Sequence, residues 1–341
     1  MTRFLLLCFT ITLLLGGCSN EKGEDIALLS GIIDPTNLKI SDPNKENSQR
    51  ITLRFPLYVD GISGSDDWPG TKTAPLRTIT KAISVATSSH DIYVAPTVYS
   101  KNRGEIFPIR IPDGVAIIGD EAGKGQIGGS SSRYGGRYED HPNQGVTSIS
   151  NWDNVNGEAI IFGNNTVLAG FDLMNPIHLR AYNVKIRNNT TIKTISVYPK
   201  SNNDDSGGHT FSGNFIGYKE APGYTISSAL SFNRTTHYNK IENNTIYRNR
   251  NGIEVAPSGL IDLGGGPTGS VGNNILSCSE FSDLTFEFNS YQFISARNNK
   301  WDHSPPTFNP LDGTYRTDIH RYNLGNVDIA GHQVAPNPCE R

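Results

Sequence analysis

From residue 160 onward one theme keeps returning: asparagine, doubled or following glycine, with an apolar β-branched or aromatic residue close behind. GNNTVLAGF, RNNTTI, GNFI, ENNTIY, GNNIL and RNNKW carry it. With Asn165, Asn189, Asn214, Asn244, Asn274 and Asn299 as marks, successive intervals are 24, 25, 30, 30 and 25 residues. A period of roughly 20 to 50 residues means stacked units rather than a closed globule. Asparagine suits such a place on two counts. It tolerates the left-handed backbone of a sharp turn, and stacked amides can hydrogen-bond along the stack. Short alternating apolar pieces lie between the marks, at residues 184–186 and 253–255, without helical spacing. A Greek-key sandwich with Asn-rich hairpins gives no reason for so regular a period. The expected fold is all-β, a single-stranded parallel β-helix.

The region before the repeats reads differently. Residues 57–59 form a short β-type run, and glycines, Asp66, Asp67 and Pro69 then punctuate a loop. From Pro75 the spacing of Leu76, Ile79, Ile83 and Ala86 predicts one short amphipathic helix. Such a helix suits the open end of a sheet, whose unpaired edge groups would otherwise invite association. Short β segments follow at residues 92–95, 106–111 and 115–118. Residues 120–147, dense in Gly and Ser, read as a long excursion.

The N-terminus carries an address. Arg3 precedes an apolar or hydroxyl stretch over residues 4–15, too short to span ~30 Å of hydrocarbon but suited to a signal peptide. Leu15-Gly16-Gly17-Cys18 resembles the lipobox of bacterial lipoproteins, which implies cleavage before Cys18 and lipidation of its thiol. Ser19 resembles the signal for onward transport to the outer membrane. The expected layout is a signal peptide over 1–17, a polar tether over 18–50 and a β-helix domain over 51–341, its N-terminal cap at about 57–90. Cys8 leaves with the leader, so Cys278 and Cys339 remain. In an oxidising envelope they could pair; equally, Cys278 could be a buried apolar residue and Cys339 a free thiol. The net charge of -3 offers no global field for nucleic acid.

Segments spread over residues 57–306 carry a family resemblance: YVDGISGSDDWPGTKTAPLRTITKAISVA, DIYVAPTVYS, EIFPIRIPDGVAIIGDE, IDLGGGPTGSVGNNILSCS and ARNNKWDHSPP. In these the chain resembles right-handed parallel β-helix proteins of the pectin-lyase-like class, and more narrowly the family catalogued as domain of unknown function 1565. The resemblance implies that the opening strand and helix cap the N-terminal end. It further implies that Pro112-Asp113-Gly114 and Gly119-Asp120 are coil corners, and that IDLGGG lies in a late coil. It implies no reaction, because the broader fold hosts lyases, hydrolases, esterases and adhesins alike.

Candidate chemistry is sparse. SNNDDSGGHT, with Asp204, Asp205 and His209, is the densest polar loop and could bind a sugar or a cation such as Ca2+, which needs six to eight oxygens. No other cofactor is implied. Asp66 with Asp67 reads as a turn, and Glu254, Asp262 and Glu287 fall 10, 18 and 13 residues past the preceding marks, at non-equivalent places. Residues 301–306, WDHSPP, read as a rigid exit from the last coil with Trp301 in the core. No catalytic residue set stands out. The expected function is that of a monomeric, lipid-anchored envelope protein binding glycan or another ligand without catalysis. The alternatives are a polysaccharide lyase or glycoside hydrolase of this fold, and a purely structural envelope protein.

Overall fold

The computed structural model describes residues 53–121, 147–154, 156–199, 201, 206–217, 228–286, 293–309, 317–321 and 326–339. Among them, short strands stack into three long sheets of eight, six and nine strands, with parallel pairing within each sheet. Sheet A runs from Phe55–Val59 to Ile261–Asp262, sheet B from Ile177–Leu179 to Thr317–Arg321, and sheet C from Val98–Ser100 to Gln333–Val334. One coil shows the order. Lys185–Arg187 lies in sheet A, Thr190–Thr191 in sheet C and Ile195–Val197 in sheet B, and the chain then returns to sheet A at Thr210–Ser212. This is a parallel β-helix.

The core follows from period-two alternation within each short strand. Ile92, Ile117, Leu168, Ile186, Phe211 and Ile241 stack inward from sheet A, and Leu179, Val197, Phe232, Val255 and Phe286 from sheet B. Trp301 joins them, fully buried. Its strand does not end the solenoid, because Lys300–Trp301 pairs with Gln333–Val334. The expected exit at residues 301–306 is therefore a corner, with a further coil beyond it.

The asparagines divide their work in a way the repeat did not reveal. At the corner leading into each sheet C strand from Thr190–Thr191 to Lys300–Trp301 the left-handed residue comes first: Asn188, Asn243, Asn273 and Asn298, with Gly213 in the same place. The second residue forms the ladder. Asn189, Asn214, Asn244, Asn274 and Asn299 are all buried, and each Nδ2 reaches the next Oδ1 at 3.3, 2.9, 3.0 and 2.9 Å. Each Oδ1 also accepts the backbone N–H of the rung before it. Asn165 is not a rung. It is a left-handed residue at another corner, bonded to Asn183, and the ladder's first amide comes from Phe171.

The helix is real but starts later than expected, at Ile79–Val85. Residues 75–77 are held extended, because Leu76 bonds to Tyr58 and Asp60 through the backbone. Asp66 takes the amides of Arg77 and Thr78, and Thr78 caps the helix by accepting from Lys81. Buried Glu105 then receives the N–H groups of Ile79 and Thr80 at 2.7 and 2.9 Å. These are orphan donors of a helix start, so the expected helix nucleus yields to two carboxylate caps.

Candidate ligand-binding face

Cys18, its leader and the tether lie outside the described residues, as do Asp204, Asp205 and nearly all of the 120–147 excursion. His209 is described, and it is fully buried. Its Nδ1 accepts the N–H of Val184 at 3.0 Å, and its own N–H goes to Asn239 Oδ1 at 3.2 Å. It thus occupies a ladder-like place at the turn into sheet A. Nε2 carries the proton and has no partner, and burial pulls the imidazole down to about 3. It is a neutral interior group, turned towards Phe211.

Cys278 and Cys339 form a disulfide with Cα atoms 5.2 Å apart. The bond packs with Phe215 and Tyr247, outside the main core. Beside it lie three buried carboxylates, Asp283, Asp302 and Asp318, whose ligand atoms fall within 4.8 Å of one another. Their spacing would admit a cation, yet their hydrogen bonds describe capping. Asp302 accepts from Ser277 Oγ and from the amides of Cys278 and Cys339. Asp318 accepts from Asp302 N, Thr307 and His303 Nδ1, and Asp283 accepts from Ser279 N. Asp262 is likewise a loop organiser, taking the amides of Gly264, Gly266 and Thr268 with the Thr268 hydroxyl.

The outer surface holds a different cluster that sequence reasoning missed. Along residues 178–182, Leu179 and Ala181 point into the core, so His178, Arg180 and Tyr182 face outward. The register of sheet B sets Tyr198 beside Arg180 on the next coil. Arg180 Nη2 donates to Tyr198 Oη at 2.8 Å while its guanidinium carbon lies 5.0 Å from the ring centroid. His178 is 5.7 Å from the same ring. Burial lowers the His178 pKa; Glu158 opposes this and Arg180 adds to it. Farther round the corner Tyr182 meets His237 edge-on at 4.9 Å across an intervening coil. The coil between supplies Gly208, where any Cβ would sit 2.8 Å from the Tyr182 ring. On sheet A, Tyr58 and Tyr93 stack at 5.6 Å, and Tyr93 remains 40% exposed.

Rings thus meet between neighbouring coils at Tyr58–Tyr93 and His178–Tyr198, and across one coil at Tyr182–His237. Residues 62–308 match the profile of a family described as a protein of unknown function, DUF1565, and the chain belongs to that family. No curated protein matches it. Among solved structures it is similar to a rhamnogalacturonan lyase, at 12% identity and a TM-score of 0.45 over 82% of this chain and 86% of that one.

Proposed function

We propose that this chain is a lipid-anchored envelope protein whose β-helix binds glycans on its outer face without cleaving them. The observation that supports it is the set of ring pairs that bridge coils: Tyr58 with Tyr93 and His178 with Tyr198 on adjacent coils, and Tyr182 with His237 across the coil between them. Aromatic faces and edges with a polar tip suit the apolar face and hydroxyl rim of a sugar. A packed solenoid holds them in place before the ligand arrives, which limits the ordering cost of binding. The anchor rests on the leader and Cys18. Among the described residues no helix is long and apolar enough to cross a membrane.

The test is a panel of immobilised polysaccharides probed with the chain from residue 19 onward. Retention on at least one class, weakened by Tyr93→Ala or Tyr182→Ala, is the expected result. Silence across neutral and charged classes would overturn the reading. Labelled palmitate should enter the intact protein and fail to enter a Cys18→Ser variant.

A further inference from the structure

We infer that the N-terminal end of the stack, around Trp68 and Ile106, is a membrane-facing surface that rests on anionic phospholipid. This deepens the anchored reading of the protein and rests on it.

The argument begins with what lies at that end. Phe55–Val59 is the first strand of sheet A, and its free edge is taken up by the chain that follows it. Tyr58 donates to the Gly70 carbonyl, and Leu76 bonds to Tyr58 and Asp60 through the backbone. The helix Ile79–Val85 then turns Ile79 and Ala82 into the core beside Leu57, Val59 and Ile92. Its other side, with Lys81, Ser84 and Val85, stays exposed or half-buried. Among the described residues no coil stacks beyond it.

This end carries more apolar surface than a cap requires. Ile62, Trp68, Val85 and Ile106 are between 44% and 68% exposed. Two of them are tied to the start of the helix. Trp68 belongs to a turn in which its N–H donates to Ser65 and that of Ser65 to Pro75, while Asp66 takes the amides of Arg77 and Thr78. Ile106 arrives from the turn after Lys101–Arg103, and its N–H donates to the Thr80 hydroxyl at 3.0 Å. The backbone is fixed at both places while the side chains remain in water. Exposed apolar groups gathered in this way mark a contact surface. An indole among aliphatic side chains suits the boundary between headgroups and acyl chains.

Charge points to the same occupant. Lys72 and Arg77 are exposed and Lys81 is half-buried; such side chains lay their stems along apolar surface while their heads reach phosphate. The carboxylates of this end are turned inward instead. Asp66 and Glu105 serve the helix start, and Asp60 takes the amides of Ile62 and Ser63. That leaves Asp67 exposed. A second copy docked face to face would set the same basic groups against each other, whereas lipid phosphates pair with them. The chain also enters the fold here, ahead of Phe55–Val59. A lipid on Cys18 ties the stack by this end, and a tied surface meets the bilayer at high local concentration, so weak contacts become populated.

The experiment uses the chain from residue 19 onward, which carries every described residue and no acyl group. It is sedimented with vesicles of phosphatidylglycerol and phosphatidylethanolamine, and with vesicles of phosphatidylcholine. Binding to the anionic vesicles should be stronger by about fivefold or more, the size of one basic side chain near such a surface, and should weaken as salt rises. Trp68→Ser with Ile106→Ser should lower it about tenfold, and Lys72→Gln with Arg77→Gln and Lys81→Gln should remove the anionic preference. All five positions face water, so the unfolding temperature should not move. Brominated lipid should quench indole fluorescence in the parent chain and less in Trp68→Phe. Equal binding to the two vesicles, or binding unchanged by the paired serine substitutions, would overturn the inference. So would dimers in solution that Trp68→Ser dissolves and vesicles do not. Absence of vesicle binding in a protein whose intact form takes up labelled palmitate would overturn it and leave the anchor standing.

Discussion

His209 shows how one side chain can carry a whole pH dependence. Unfolded, its imidazole titrates near 6.5; folded, burial holds it at about 3. The unfolded chain therefore binds the proton first. The stability His209 contributes is complete above pH 6.5 and is lost as pH falls from 6.5 towards 3, at ~1.4 kcal/mol per unit. Acid titration followed by circular dichroism should show this slope. His209→Asn should flatten it, because an asparagine can accept the Val184 amide as Asn239 accepts that of His209. A slope unchanged by the substitution would place the acid sensitivity elsewhere. In the sequence His209 looked like a ligand because it ends a run of polar residues, SNNDDSGGHT. What could not be read there is that an imidazole replaces an amide in a stacked position, since one substitution erases the repeat that would have marked the site.

At the scale of elements, the ladder and the disulfide make separable contributions. Asn244→Ala would leave the Asn214 N–H without its acceptor and Asn214 Nδ2 with the Ile186 carbonyl alone, and would remove the amide that donates to the Phe211 carbonyl. A loss of about 3 kcal/mol is expected, read as a shift in denaturant midpoint at unchanged slope. Reduction of Cys278–Cys339, separated by 61 residues, should cost up to about 4 kcal/mol if loop entropy dominates; thermal unfolding with and without reductant checks it. The ladder was legible because amide stacking demands the same residue at every coil. The pairing of the cysteines was open in the sequence, since only the fold brings residue 339 back over residue 278. The outer corner was half legible: the alternation of His178, Leu179, Arg180, Ala181 and Tyr182 announces three outward side chains. Their partners were not, because Tyr198 and His237 arrive through loops of unequal length that no period predicts.

At the scale of the molecule, stability in a solenoid is close to a sum over neighbouring coils. Hydrogen exchange should accordingly be slowest in the sheet A and sheet C strands joined by the Asn189-to-Asn299 ladder. It should be faster at Val327–Asp328 and Gln333–Val334, the last strands of the stack. Uniform protection across all coils would contradict a coil-by-coil account. The same architecture explains why family membership reads clearly while function does not. The turns, caps and rungs recur in the sequence, whereas a binding surface occupies one corner of a few coils.

The constant pitch of the stack has a bearing on how a polymer would travel over it. Strands repeat every ~4.8 Å, so a linear chain laid along the axis meets the same backbone geometry after each step of one coil. Moving it by one coil changes only the side chains underneath. Where neighbouring coils present similar residues, the chain can shift register at little cost, and where a coil pair is singular it will stop. Arg180 and Tyr198 are such a pair, a fixed mark on an otherwise graduated scale.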